Sequence, residues 1–292
     1  MREKIANTGL KAVLNTFFRP PFTAQKMRRH FDLLAGKSAE GVTARYPDVR
    51  ITRADVGRIP VESTTVNGSQ RTILYLHGGG YFMGSILAYR LNAAKIARRC
   101  RATVVLPEYR LAPENRFPAA LEDAVEVYRA LLEKTSTPPI IGGDSAGGGL
   151  ALATMLKLLQ LGLPRPTALF CFSPWTDLTQ SNPSWAEKRE EIWLRVEHNE
   201  IWAREYGGDH DLRDPLISPL FGDLHDFPRT LVFVGELEAL HDDGAKIVER
   251  INAAGGSAEL FIGKKMQHVW PLFLPFLPES RRAMDKLAEF VV

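Results

Sequence analysis

Apolar and polar residues alternate over residues 49–56 and again over 59–66, with Gly57 between the two runs. A two-residue period marks strands buried on one face, and a glycine between two such runs predicts an antiparallel hairpin. Beyond it the pattern changes. Short, nearly continuous apolar runs recur at 72–76, 102–106, 139–142, 168–172, 230–234 and 258–262, as expected of strands covered on both faces. Helical spacing fills most of the intervals, at 86–99, 119–134, 147–161 and 243–254, the last stopped by Gly255-Gly256. This order predicts an α/β fold: a mostly parallel central sheet flanked by helices and entered through the hairpin.

Two stretches do not fit that alternation. Residues 1–40 have helical spacing, with Ile5, Leu10, Val13, Leu14, Phe17 and Phe18 apolar, a break at Pro20-Pro21 and a second segment over 23–34. Residues 179–212 hold Trp185, Trp193 and Trp202 among dense charge with no strand pattern, too long for an ordinary connection. They read as a helical insertion, and the N-terminal helices as its partner in a lid.

A chain of 292 residues can bury a large core without staples. The only cysteines, Cys100 and Cys171, exclude a disulfide scaffold and a Cys-rich zinc module and point to a reducing compartment. Thirty-seven basic against 34 acidic residues, net +3, call for no polyanionic partner. No apolar run approaches the roughly 18 residues of a membrane span. Lys11 and Asn15 interrupt any secretory core behind the charged start Arg2-Glu3-Lys4. The expectation is a cytoplasmic protein that binds no nucleic acid and makes no stable membrane insertion.

The strongest chemical signal is Gly143-Asp144-Ser145-Ala146-Gly147, set between an apolar strand run and a helical pattern. A Gly-x-Ser-x-Gly turn in that context lifts the serine oxygen clear of the sheet, which makes Ser145 the candidate nucleophile. Upstream, the 72–76 strand runs into His77-Gly78-Gly79-Gly80. Unhindered N–H groups of Gly78, Gly79 and Gly80, with that of Ala146, are the candidate donors to an oxyanion. No Lys-Ser/Thr follows and no GxGxxG is completed, so a phosphate loop is the weaker reading; His77 reads as structural. Among seven histidines, chain order favours His268, six residues past the last strand run, as the base, with His241 as competitor. The acid belongs after the strand between serine and histidine, where Glu236, Glu238, Asp242 and Asp243 lie. Glu238 follows the strand end closely and is the choice; Asp242 and Asp243 read as caps of the next helix.

Taken together, these motifs resemble the hormone-sensitive-lipase-like (family IV) carboxylesterases of the α/β-hydrolase superfamily. The matching runs are His77-Gly78-Gly79-Gly80, Tyr109-Arg110-Leu111-Ala112-Pro113-Glu114, Gly143-Asp144-Ser145-Ala146-Gly147-Gly148, Asp214-Pro215 with Ser218-Pro219, and His268-Val269-Trp270. The resemblance implies Ser145 as nucleophile, His268 as base, and oxyanion donors at Gly79, Gly80 and Ala146 with Gly78 in the same loop. It also implies a cap from residues 1–45 and 179–212 over a catalytic domain at 46–178 and 213–292. The family usually has Asp-Pro-Leu where this chain has Glu238-Ala239-Leu240, which leaves Asp242 as the rival acid.

The expected activity is hydrolysis of a small-molecule ester with a short to medium acyl group, through an acyl-enzyme and without metal or cofactor. Met83, Trp202 and Trp270 are candidates for the pocket wall. Rival readings are an amide or formamide hydrolase with the same triad, a non-catalytic ligand receptor, and an interfacial lipase using Phe17 and Phe18. A homodimer through the sheet edge at 258–262 is a family expectation.

Overall fold

The computed structural model describes residues 24–39, 41–187 and 196–291. Ile5 to Phe18 and Trp193, named above, lie outside them. The predicted hairpin forms as β1 (Val49–Val56) and β2 (Ile59–Val66), paired from Val49 opposite Val66 to Val56 opposite Ile59. Six further strands follow: β3 (Arg71–Leu76), β4 (Ala102–Pro107), β5 (Ile140–Asp144), β6 (Leu169–Phe172), β7 (Thr230–Gly235) and β8 (Ala258–Gly263). The sheet runs β1-β2-β4-β3-β5-β6-β7-β8; the first two pairings are antiparallel and the rest parallel.

Ten helices flank this sheet among the described residues: α1 (Ala24–Ala39), α2 (Val42–Arg45), α3 (Ile86–Cys100), α4 (Ala119–Leu132), α5 (Ala146–Gln160), α6 (Pro183–Ala186), α7 (Val196–Gly207), α8 (His241–Ala253), α9 (Trp270–Phe273) and α10 (Pro278–Val291). Successive strand residues point to opposite faces, so the sheet separates two cores. Leu74, Ile141, Leu169 and Val232 pack with Leu121 of α4, Leu150 of α5 and Ile247 of α8. Ile73, Ile140, Phe170 and Leu231 pack on the other face with Ala93 of α3 and Leu287 of α10. Both faces are covered, which is why the parallel strands read as unbroken apolar runs rather than alternating ones.

The insertion predicted over 179–212 contributes α6 and α7. Trp185 of α6 is buried and donates its Nε1–H to Asp243 Oδ2 at 3.2 Å, tying the insertion to α8. Helix α1 lies along the N-terminal part of α3. Ala24, Met27, Arg28 and Phe31, three and four residues apart, form its inward stripe, with Phe31 near the Tyr89 ring and Asp32 accepting from Ser85 Oγ at 2.6 Å.

Candidate active site

The chemistry-bearing residues collect at the C-terminal ends of β3, β5, β6, β7 and β8. Ser145 sits between β5 and α5 at φ 54°, ψ −124°, a left-handed conformation that is strained for any residue with a β-carbon. Neighbouring chain holds it there: Ser145 N–H donates to Phe172 O at 2.9 Å, and Trp175 N–H donates to Ser145 O at 2.9 Å. Gly143 and Gly147 are required by close approach. A β-carbon at 147 would run into the carbonyl oxygens of Leu76 and His77, and one at 143 into that of Gly147.

After β3 the chain passes through Gly79 (φ 124°), Gly80 (φ 64°) and Tyr81 (φ 60°), three consecutive positive φ values. Gly79 O accepts from the N–H of both Phe82 and Met83 at 3.0 Å, closing the loop. No acceptor among the described residues takes the N–H of Gly79, Gly80 or Ala146. Gly78 differs. Its N–H donates to Asp144 Oδ1 and Tyr89 Oη, each at 3.1 Å, so it is committed within the fold and drops out of the candidate donor set.

Asp144 fills an unspecified position of the Gly-x-Ser-x-Gly pattern, so no motif marks it. It is buried and accepts from Tyr75 Oη at 2.9 Å and Tyr89 Oη at 2.8 Å as well as from Gly78, fastening the glycine loop to the elbow. Burial raises its pKa to about 6 against the pull of those donors and of the His268 charge. His77 is buried between the rings of Tyr89 and Tyr109, with Nδ1 at 2.9 Å from Gly78 O. Burial lowers its pKa to about 4, so it is neutral and structural, as its strand-end position suggested.

His268 follows β8 and Glu238 follows β7; both are buried, with His268 Nδ1 at 3.2 Å from Glu238 Oε2. Glu238 Oε1 accepts from Gly235 N–H at 3.0 Å. Burial pushes the Glu238 carboxyl above the ordinary range, opposed first by the Ser173 hydroxyl and then by the Gly235 N–H. Ser173, also unremarked in the sequence, stands at φ 48° after β6 and accepts from Val269 N–H at 3.0 Å. It therefore joins the carboxylate to the backbone beside the histidine.

The rival residues are engaged elsewhere. His241 Nδ1 lies 3.0 Å from Gly235 O. Asp242 and Asp243 stand in the first turn of α8, behind Leu240 at the N-cap position, and both side chains are engaged across the fold. Asp242 accepts from Ser184 N–H at 2.9 Å, while buried Asp243 accepts from the N–H groups of Thr176 and Asp177 and from Asn182 Nδ2. They stitch the 176–185 segment onto α8, a contact that helix-end statistics do not encode.

Of the three pocket candidates, Met83 and Trp202 lie in one apolar cluster with Phe82, and a β-carbon on Gly80 would strike the Trp202 ring. Trp270 does not join them. It is fully buried in the core on the opposite face, beside Gly263, because α9 turns under the sheet directly after His268.

A mostly parallel eight-stranded sheet with a serine on its strand-to-helix turn and the polar groups gathered at its strand ends defines an α/β-hydrolase-fold enzyme. The model of the alpha/beta hydrolase fold family matches residues 73–272. An acetyl-hydrolase of Streptomyces hygroscopicus is 41% identical over 76% of this chain and 75% of its own. An esterase of Acinetobacter venetianus is 31% identical over 96% of this chain and 93% of its own. The crystal structure of an esterase from the bacterial hormone-sensitive lipase family superposes with TM-score 0.89 at 35% identity, covering 98% of this chain and 96% of that one. The chain belongs to this family, as a hormone-sensitive-lipase-like esterase of the α/β-hydrolase superfamily. Its reaction is ester hydrolysis. No helix among the described residues is long and apolar enough to cross a membrane.

Proposed function

We propose that the chain is a serine carboxylic-ester hydrolase for short to medium acyl esters, working through an acyl-enzyme. The observation that carries the reading is the convergence on adjacent strand ends of Ser145, the His268–Glu238 pair and the uncommitted N–H groups of Gly79, Gly80 and Ala146. His268 takes the Ser145 proton on Nε2 as Oγ attacks the ester carbonyl. Glu238 keeps the other ring nitrogen protonated and stabilises the imidazolium. The carbonyl oxygen, now negative, is received by the three N–H groups, that of Ala146 being the first of α5, where the helix dipole also favours an anion. His268 then protonates the departing alcohol, and water activated by the same imidazole releases the acid.

Trp202 pressed on Gly80 limits the room beside the donors, and the acetyl-hydrolase relative supports a short acyl group. On this reading the described parts of 1–45 and 179–212, helices α1, α2, α6 and α7, contribute to the cap over the catalytic domain. The test is hydrolysis of chromogenic esters from two to sixteen acyl carbons, with Ser145→Ala in parallel. Activity confined to short and medium chains and abolished in the variant is the expected result. Activity retained by the variant would end the serine reading, and faster turnover of the matching anilides than of the esters would move the site to amide chemistry.

A further inference from the structure

The run Tyr109-Arg110-Leu111-Ala112-Pro113-Glu114 supplies no reacting group, yet it converges on the loop that carries the proposed oxyanion donors. Tyr109 Oη donates to His77 O at 2.6 Å, and its ring stacks on the His77 imidazole with centroids 4.2 Å apart. Ala112 N–H donates to Tyr81 O at 2.9 Å. Arg110 pairs with Asp123 of α4 and fixes the run to the scaffold. The remaining link comes from α1. Arg28 Nε donates to Phe82 O at 2.8 Å, Nη2 to Ala112 O at 2.6 Å, and Nη1 and Nη2 to the Glu114 carboxylate at 3.1 and 2.8 Å.

One guanidinium thus spans both ends of the arrangement. It holds the carbonyl just after the three positive-φ residues, and it holds the segment whose own N–H holds Tyr81. Its side chain, in the inward stripe of α1, is only 24% exposed, and four of its five N–H donors are directed at protein acceptors. A backbone with three successive left-handed residues persists only where its surroundings over-determine it.

We propose that Arg28 is a positioning residue for the oxyanion loop: through Phe82 O, Ala112 O and Glu114 it holds the Gly79 and Gly80 N–H groups in register with Ser145, making helix α1 a component of the site. The proposal rests on the reading of those two groups as oxyanion donors. Releasing the clamp leaves the substrate-binding surface in place but lets the donors drift. It therefore acts on the transition state more than on the ground state.

The experiment uses Arg28→Gln and Arg28→Lys in the full chain. Lysine keeps the charge but lacks the fork, so it cannot reach both carbonyls and the carboxylate together. With p-nitrophenyl butyrate, kcat per labelled site falls about 10- to 100-fold in both variants while KM stays within about threefold. Sites are counted by a fluorophosphonate, whose phosphorus bonds to Ser145 Oγ with loss of fluoride. A trifluoromethyl ketone forms a hemiketal with Ser145, its carbonyl oxygen taking the electron pair as an oxyanion, and its affinity falls by the same factor as kcat/KM. A purely structural role would lower the number of labelled sites and leave kcat per site and ketone affinity unchanged; that result, or kcat within twofold of wild type in either folded variant, overturns the proposal. Failure of the underlying serine reading shows separately, as wild-type protein that turns over ester without being labelled.

Discussion

Replacing Glu238 by Gln separates catalytic from structural worth at one atom. The Gln carbonyl can still accept from Gly235 N–H, which the carboxylate does at 3.0 Å. The amide NH2 then faces His268 Nδ1, where a carboxylate oxygen now stands at 3.2 Å. A donor at that point forces Nδ1 to accept and places the ring proton on Nε2, the tautomer unable to take a proton from Ser145. The expected loss in kcat is ~10³- to 10⁴-fold, or about 4–5 kcal/mol of transition-state stabilisation, with KM nearly unchanged.

Stability moves the other way. Burial raises the Glu238 pKa above its unfolded value of 4.5, so the folded state favours the protonated form. Its contribution is greatest below pH 4.5 and is lost as pH rises through the folded pKa. At pH 8 the neutral Gln escapes that cost, and the variant melts no lower than wild type. Asp242→Asn, which weakens the bond from Ser184 N–H, keeps kcat within ~3-fold, under about 1 kcal/mol. Initial rates on p-nitrophenyl butyrate, normalised to fluorophosphonate-labelled sites, and thermal melts at pH 8 decide the matter. The reasoning is refuted by Glu238→Gln retaining more than a tenth of wild-type kcat, or by Asp242→Asn losing more than Glu238→Gln.

Gly147→Ala drives a β-carbon into the Leu76 and His77 carbonyls and is expected to cost about 3 kcal/mol, a drop of roughly 6–12 °C in Tm by calorimetry. The neutral His77, with its pKa lowered from 6.5 to about 4, contributes stability that is complete above pH 6.5 and declines as pH falls toward 4, by about 3 kcal/mol in all. Urea unfolding across that range should lose the slope in His77→Asn; an unchanged slope assigns it to other groups. Trp270→Phe is expected to destabilise by about 1–3 kcal/mol and leave KM unchanged along the acyl series, whereas Trp202→Ala shifts it. Equal KM effects from both would put Trp270 back at the pocket.

The strand and helix order, the hairpin, the Ser145 elbow and the glycine loop were legible in the chain because each is local. Side-chain period, a strand-to-helix junction and glycines that admit close backbone approach are written in consecutive residues. Chain order went further and favoured His268, and closeness to the strand end favoured Glu238 over its rival Asp242, since a parallel sheet delivers successive loops to one edge. The rest was decided by contacts between segments distant in sequence. Arg28 meets Phe82 and Glu114 across 54 and 86 residues, and Ser173 meets Val269 across 96. Gly78 looks like its two neighbours until Asp144 and Tyr89 take its N–H. Trp270 stands two residues from the candidate base and yet belongs to the opposite core, because the turn at Val269 carries the chain beneath the sheet. A motif can specify which groups stand at a strand end; packing from the other side decides which of them remain free to act.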